Sequence, residues 1–179
     1  MRQLYIVRHC CAEGQEPEAS LTAEGQVQAK KLLSFFAGIK VDQIISSPYV
    51  RAIESIRPLA EERNISITTD QRLIERRLCG RKLPDWLERL QETFEDPDLC
   101  LEGGESSRAA MKRVVPVAEE LLCREDGNSV IVSHGNLITL LLKHFDERFG
   151  FEEWKKMSNP DVFRITVSGG EQKVERLWK

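Results

Sequence analysis

The 179-residue sequence has no C-x-x-C pair, no excess of basic charge and no apolar run of membrane length. Each absence removes a class of protein. The five cysteines, Cys10, Cys11, Cys79, Cys100 and Cys123, are odd in number and irregular in spacing. That argues against a zinc cluster and against a disulfide framework. Lys and Arg total 26 against 29 Asp and Glu, a formal charge of −3. No global field therefore attracts nucleic acid or an anionic membrane. The longest later apolar stretch, Leu137 to Leu142, falls far short of the roughly 20 residues that span a bilayer. The opening MRQLYIVRH is too brief an apolar segment for a signal-peptide core. A cytoplasmic protein is expected, without nucleic-acid or membrane partners. Histidine is also scarce, with three in all.

What is present alternates between strand-like and helix-like segments. LYIVRH, QIISS and SVIVSH are short apolar runs, the pattern of strands covered on both faces. LTAEGQVQAKKLLSFFAG follows the first, with Thr22 as N-cap, an apolar face of Val27, Leu32, Leu33, Phe35 and Phe36, and Gly38 as the stop. Pro48 suits the first turn of a second helix through Ile53, Ile56 and Leu59. ISITT is a short β-rich run, and residues 83–96 suggest a helix. Ser106 or Ser107 caps a helix to about Leu122, kinked or shortened by Pro116, and GNLITLLLKHF is helical. The tail forms two strands joined at Gly169–Gly170. These elements predict an α/β protein, a three-layer α/β/α sandwich with a mostly parallel central sheet. One domain spans residues 1–179, and residues 76–107, which fit the rhythm worst, form an excursion above the sheet.

Ligands in such sheets sit beyond the carboxyl ends of strands. Three apolar runs end there in polar groups: Arg8 and His9, Ser46 and Ser47, Ser133 and His134. Arg51 lies one helical turn after Pro48 and can point back to that rim. Two arginines and two histidines at one rim describe a pocket for a compact dianion, helped by helix N-termini. Three chemistries compete at Arg8–His9–Cys10–Cys11: a metal site, a cysteine nucleophile and a histidine-bearing anion site. A cysteine phosphatase needs C-x-x-x-x-x-R, but the sixth residue after Cys10 is Glu16 and after Cys11 is Pro17.

The motifs in their order resemble the histidine phosphatase superfamily, which includes cofactor-dependent phosphoglycerate mutases. They are R-H at Arg8–His9, LTAEGQVQA at 21–29, SSPYVRA at 46–52, LIE at 73–75, GGES at 103–106 and SHG at 133–135. The resemblance implies a phosphoglycerate mutase-like fold and a metal-independent phosphomonoesterase without a cofactor, acting on a small phosphorylated metabolite. It implies His9 as nucleophile through a phosphohistidine, Arg8, Arg51 and His134 as phosphate ligands, and Glu75 as proton donor. Cys10 stands where most members have glycine. Gln15 stands roughly where mutase-like members contact phosphate through Asn, whereas His134–Gly135–Asn136 is similar to the mutase pattern. These add Gln15, Gly135 and Asn136 to the substrate-binding set, and residues 76–107 to the determinants of specificity.

The chemistry fits these roles. Arg forks meet two phosphate oxygens at once, and cations relieve the charge that develops as phosphate transfers. His9 must be neutral to attack, and the neighbouring guanidinium groups are expected to hold it so. The alternatives are a mutase-type phosphotransferase, a protein phosphohistidine phosphatase and a non-catalytic phosphate-binding protein of the same fold. For Glu75 the alternative is an ion pair with Arg76 or Arg77.

Overall fold

A computed structural model describes residues 2–124 and 127–179. Six strands form one sheet: β1 (Arg2–Arg8), β2 (Gln43–Ser46), β3 (Ile67–Thr69), β4 (Ser129–Ser133), β5 (Asp161–Ser168) and β6 (Glu171–Arg176). Their order is β3-β2-β4-β1-β5-β6. The first four in that order pair in parallel, and β5 pairs antiparallel with both β1 and β6. The helices are α1 (Ala23–Phe35), α2 (Val50–Arg63), α3 (Trp86–Glu95), α4 (Ser107–Leu122), α5 (Gly135–Phe145) and α6 (Phe151–Lys156).

Alternation along the strands builds two cores, because successive side chains point to opposite faces. In β1, Leu4 and Ile6 join the α4–α5 side, where Val114, Ala118, Leu137 and Leu141 are buried. Tyr5 and Val7 join the α1–α2 side with Leu32, Phe36, Ile56 and Leu59. Every residue of β4 is buried. This is the three-layer, mostly parallel architecture expected from the sequence.

Local details differ from expectation at four places. Val27 lies off the apolar face of α1, 54% exposed. That helix ends at Phe35 with Phe36 as its cap, ahead of Gly38. Pro48 precedes the N-cap Tyr49 instead of occupying the first turn of α2. The helix holding Pro116 runs unbroken to Leu122, with Ser106 accepting from the Ala109 N–H. Helix α6 had no counterpart in the sequence reading; six residues give too little periodicity to register.

Candidate active site

Register explains why the polar residues meet. Arg8 pairs with Ser133 across β1–β4, and Ser46 with Val132 across β2–β4. The chain past these pairs carries His9, Ser47 and His134 to one rim. The His9 amide extends the ladder to the Ser133 carbonyl at 3.1 Å, and the Ser47 amide donates to Val132 at 2.8 Å.

His9 is 7% exposed. Its Nδ1 lies 2.7 Å from the Cys10 carbonyl, which can only accept, so Nδ1 carries the proton. The lone pair then sits on Nε2, where Arg51 Nε–H donates at 3.3 Å. The pKa of His9 is lowered to about 4. Burial is the main cause, with Arg51 and Arg8 adding to it and the Cys10 carbonyl opposing. The imidazole is neutral as expected, but desolvation contributes more than the arginines do.

Much of the surrounding chain fixes the segment after β1. The Cys10 amide donates to Ser55 Oγ at 2.8 Å, and Ser55 donates to the Arg51 carbonyl at 2.6 Å. The Cys11 amide donates to Gln28 Oε1 at 2.8 Å, and the Cys11 carbonyl accepts the Thr22 amide at 3.0 Å. Thus Thr22 and Gln28, both within LTAEGQVQA, hold the residues beside His9. Cys10 has no positive φ, which accounts for a cysteine at a glycine position. It is fully buried, with its thiol pKa pushed up to about 12 chiefly by burial.

Arg51 is 1% exposed, donates to the Glu16 carbonyl at 2.8 Å and lies 5.0 Å over the Tyr49 ring. Arg8 donates to the Met157 carbonyl at 3.2 Å, and its buried Nε has no partner. Gly135 leaves room for that guanidinium, since a Cβ there would lie 3.0 Å from Arg8 Cζ. His134 is fully buried, with its ring 5.1 Å from that of His9. Its Nε2 is 2.8 Å from Ser47 Oγ, and Nδ1 has no partner. Ser47 Oγ also accepts the Tyr49 amide, and with one proton and a second lone pair left it can meet Nε2 as donor or as acceptor. Burial, then His9, Arg51 and Arg8, hold the His134 pKa well below its ordinary value.

Glu75 makes no ion pair with Arg76 or Arg77 among the described residues. Its Oε1 accepts the Arg76 and Leu137 amides at 2.8 and 2.9 Å, and Oε2 accepts the Asn136 amide at 3.1 Å. The carboxyl group therefore caps α5 at its positive end.

A cavity of about 190 Å³ is lined by Arg8, His9, Cys11, Gln15, Glu75, Gly135 and Asn159, among others. Arg51 and His134 stand behind it, against the His9 ring. A second chamber of about 470 Å³ shares Arg8, Gln15 and Glu75 and adds Asn136 and residues of the 76–107 excursion. All eight residues nominated from the sequence thus gather around two connected spaces. Asn159 was missed: its Nδ2 donates to the His9 carbonyl at 2.9 Å from 150 positions away, and nothing local signals that contact. Among the described residues, no group of His, Cys, Asp and Glu is arranged to hold a metal.

The model of the histidine phosphatase superfamily (branch 1) matches residues 4–179. The chain belongs to the histidine phosphatase superfamily. Relatives of this phosphatase include the 2,3-bisphosphoglycerate-dependent phosphoglycerate mutase of Thermoplasma acidophilum. That protein is 32% identical over 140 residues, 74% of this chain and 66% of the mutase. Phosphoserine phosphatase 1 of Hydrogenobacter thermophilus is 28% identical over 147 residues, 74% of this chain and 70% of that protein. The fold matches the mycobacterial glucosyl-3-phosphoglycerate phosphatase solved with inorganic phosphate, with TM-score 0.80 at 23% identity, over 99% of this chain and 97% of that one. No helix among the described residues is long and apolar enough to cross a membrane.

Proposed function

We propose that this histidine phosphatase is a metal-independent phosphomonoesterase that works through a phosphohistidine on His9. The observation that carries the reading is the fixed His9 tautomer. With Nδ1–H held by the Cys10 carbonyl, Nε2 directs its lone pair at Arg51, behind a cavity that His9 and Arg8 line. An incoming phosphate takes the Arg51 Nε–H that now rests on His9 Nε2, which frees the lone pair as it neutralises the anion. The unpartnered Arg8 Nε–H supplies a further donor for phosphate oxygens, and His134 joins it in the tautomer where Ser47 donates to Nε2 and the ring proton sits on the unpartnered Nδ1. Gln15, Gly135 and Asn136 complete the binding set.

In the first step Nε2 bonds to phosphorus, the ester P–O bond breaks, and Glu75 protonates the departing oxygen. In the second, water attacks the phosphohistidine, Glu75 takes its proton, and the P–N bond breaks to release phosphate. The substrate is a small phosphorylated metabolite. Residues 76–107 roof the larger chamber of a single domain and select among leaving groups. A cytoplasmic setting, where thiols stay reduced, suits the five unbridged cysteines.

Rapid mixing with labelled p-nitrophenyl phosphate, followed by denaturation, tests this. Acid-labile, base-stable label should appear on His9, and His9→Ala should abolish both label and turnover. Near-normal turnover by the variant would sink the mechanism. Transfer of label to an added alcohol in preference to water would favour the mutase-type alternative.

A further inference from the structure

The larger chamber carries more than the phosphate chemistry needs. Trp86 of α3 and Trp154 of α6 meet edge to face with centroids 6.2 Å apart. With Leu78 and Leu90 they give the chamber an apolar wall. Hydroxyl groups laid against that wall would lose water without gaining a partner, whereas hydrocarbon gains by burial. At about 470 Å³ the space suits a ring-sized organic group.

Arg76 also lines it, and its side chain is incomplete. It is 4% exposed. Nε donates to the Glu105 carbonyl at 2.7 Å and Nη1 to Thr93 Oγ1 at 3.0 Å, while the buried Nη2 has no partner. Among the described residues no carboxylate forms a direct ion pair with it, although Glu105 and Glu75 favour its charge from a distance. Glu105 is taken by Arg113 at 2.7 Å, and Glu75 by three backbone amides. A buried cation without an ion pair is costly unless an anion arrives from outside.

We propose that the leaving group of the natural substrate has an apolar, ring-bearing body and a second anionic group. The body lies on the Trp86–Trp154 wall, and the anion completes Arg76. This rests on the phosphomonoesterase reading and narrows its substrate class to phosphate esters of hydrophobic acids. Arg76, Trp86 and Trp154 are then specificity-determining residues.

The test compares kcat/KM for benzyl phosphate, its 3- and 4-carboxy derivatives and phosphoserine. The methylene insulates the leaving oxygen from the ring substituent. The better carboxybenzyl ester should exceed benzyl phosphate by roughly 10–100-fold, the range of a hydrogen bond to a charged group, and should also exceed phosphoserine. Arg76→Met should bring the carboxyl advantage to about one. Trp154→Ala should slow the benzyl esters together and keep their ratio. Equal or faster turnover of phosphoserine overturns the proposal, as does a carboxyl advantage that survives in Arg76→Met. Should Arg76→Met fail to fold, wild-type inhibition by benzylphosphonate and its carboxy derivatives decides. The better carboxy compound should bind at least tenfold tighter, and equal inhibition overturns the proposal. Labelling of His9 without any carboxyl preference defeats this inference alone; absence of labelling defeats the function beneath it.

Discussion

Burial of His9 links reactivity to stability. Its pKa falls from an ordinary 6.5 to about 4 in the fold. Between those values the unfolded chain binds a proton that the native state refuses, so stability falls as pH drops from 6.5 to 4 and this contribution levels off below. The full loss is about 3 kcal/mol by linkage. Isotope-edited NMR should find His9 titrating near pH 4, and His9→Gln should make the urea-stability profile shallower across that window, leaving the share due to His134, whose pKa is also lowered. Titration at 6.5 would show that the ring is hydrated and that burial does not set its charge. Glu75 raises a separate question, because its carboxylate serves both helix α5 and the proposed acid. Glu75→Gln presents one acceptor oxygen where two stood, so it should cost about 1–2 kcal/mol in urea unfolding. Its kinetic signature differs. Single-turnover phosphorylation of His9 by an alkyl phosphate should slow by roughly 10²–10⁴-fold, while the p-nitrophenyl ester, with its stable leaving group, should be little affected. Equal slowing would remove Glu75 from acid catalysis and leave it as a helix cap.

At the scale of elements, the motifs are packing devices as much as chemistry. Gly25 lies in the first turn of α1, where any side-chain carbon would overlap the Cys11 carbonyl. That close approach, with the Thr22 and Gln28 hydrogen bonds, sets the height of the segment carrying His9. Gly25→Ala should therefore lower kcat by more than tenfold with far-UV circular dichroism unchanged, since the backbone of residues 9–11 must move and a 1 Å misplacement costs about 10²-fold. Unaltered kcat would mean the loop is positioned elsewhere. The strands and longer helices were legible because their periodicity is local. The residues at their carboxyl ends were legible because three strands end alike. Less could be read of the contacts that cross the chain. The cause of the His9 shift depends on how deeply neighbours bury it, and Val27 follows the apolar spacing of α1 yet meets solvent. The capping role of Glu75 required knowing that the turn Gln71–Leu73 ends beside the start of α5. Arg76, Trp86 and Trp154 sit in irregular or short segments, where spacing carries no direction.

For the whole molecule, the antiparallel edge is what completes a site otherwise built by parallel strands. The segment entering β5 supplies Asn159 to the His9 carbonyl and the Met157 and Ser158 carbonyls to Arg8. Asp161, fully buried and in register with Arg8, anchors that segment. One carboxylate oxygen accepts the Val162 amide and Arg176 Nε, and the other accepts the Ser158 amide and pairs with Arg176 at 2.7 Å. The ion pair ties β5 to β6 at the edge of the sheet. Asp161→Asn keeps the shape but removes one acceptor and turns an amide N–H₂ toward Arg176 or Ser158. Breaking a fully buried pair costs about 3–5 kcal/mol; because Arg176 is 39% exposed at its side chain, solvent screening brings the cost below that range, to about 2–3 kcal/mol in urea unfolding. Activity should report the same anchor separately from stability. With Ser158 released, Arg8 loses its carbonyl supports, so inorganic phosphate should inhibit the folded variant several-fold more weakly. Labelling of His9 by p-nitrophenyl phosphate should then need higher substrate concentration while reaching the same final yield. A variant that unfolds more readily yet binds phosphate as the parent does would confine Asp161 to holding the hairpin, and would show that Arg8 is set by β1 alone.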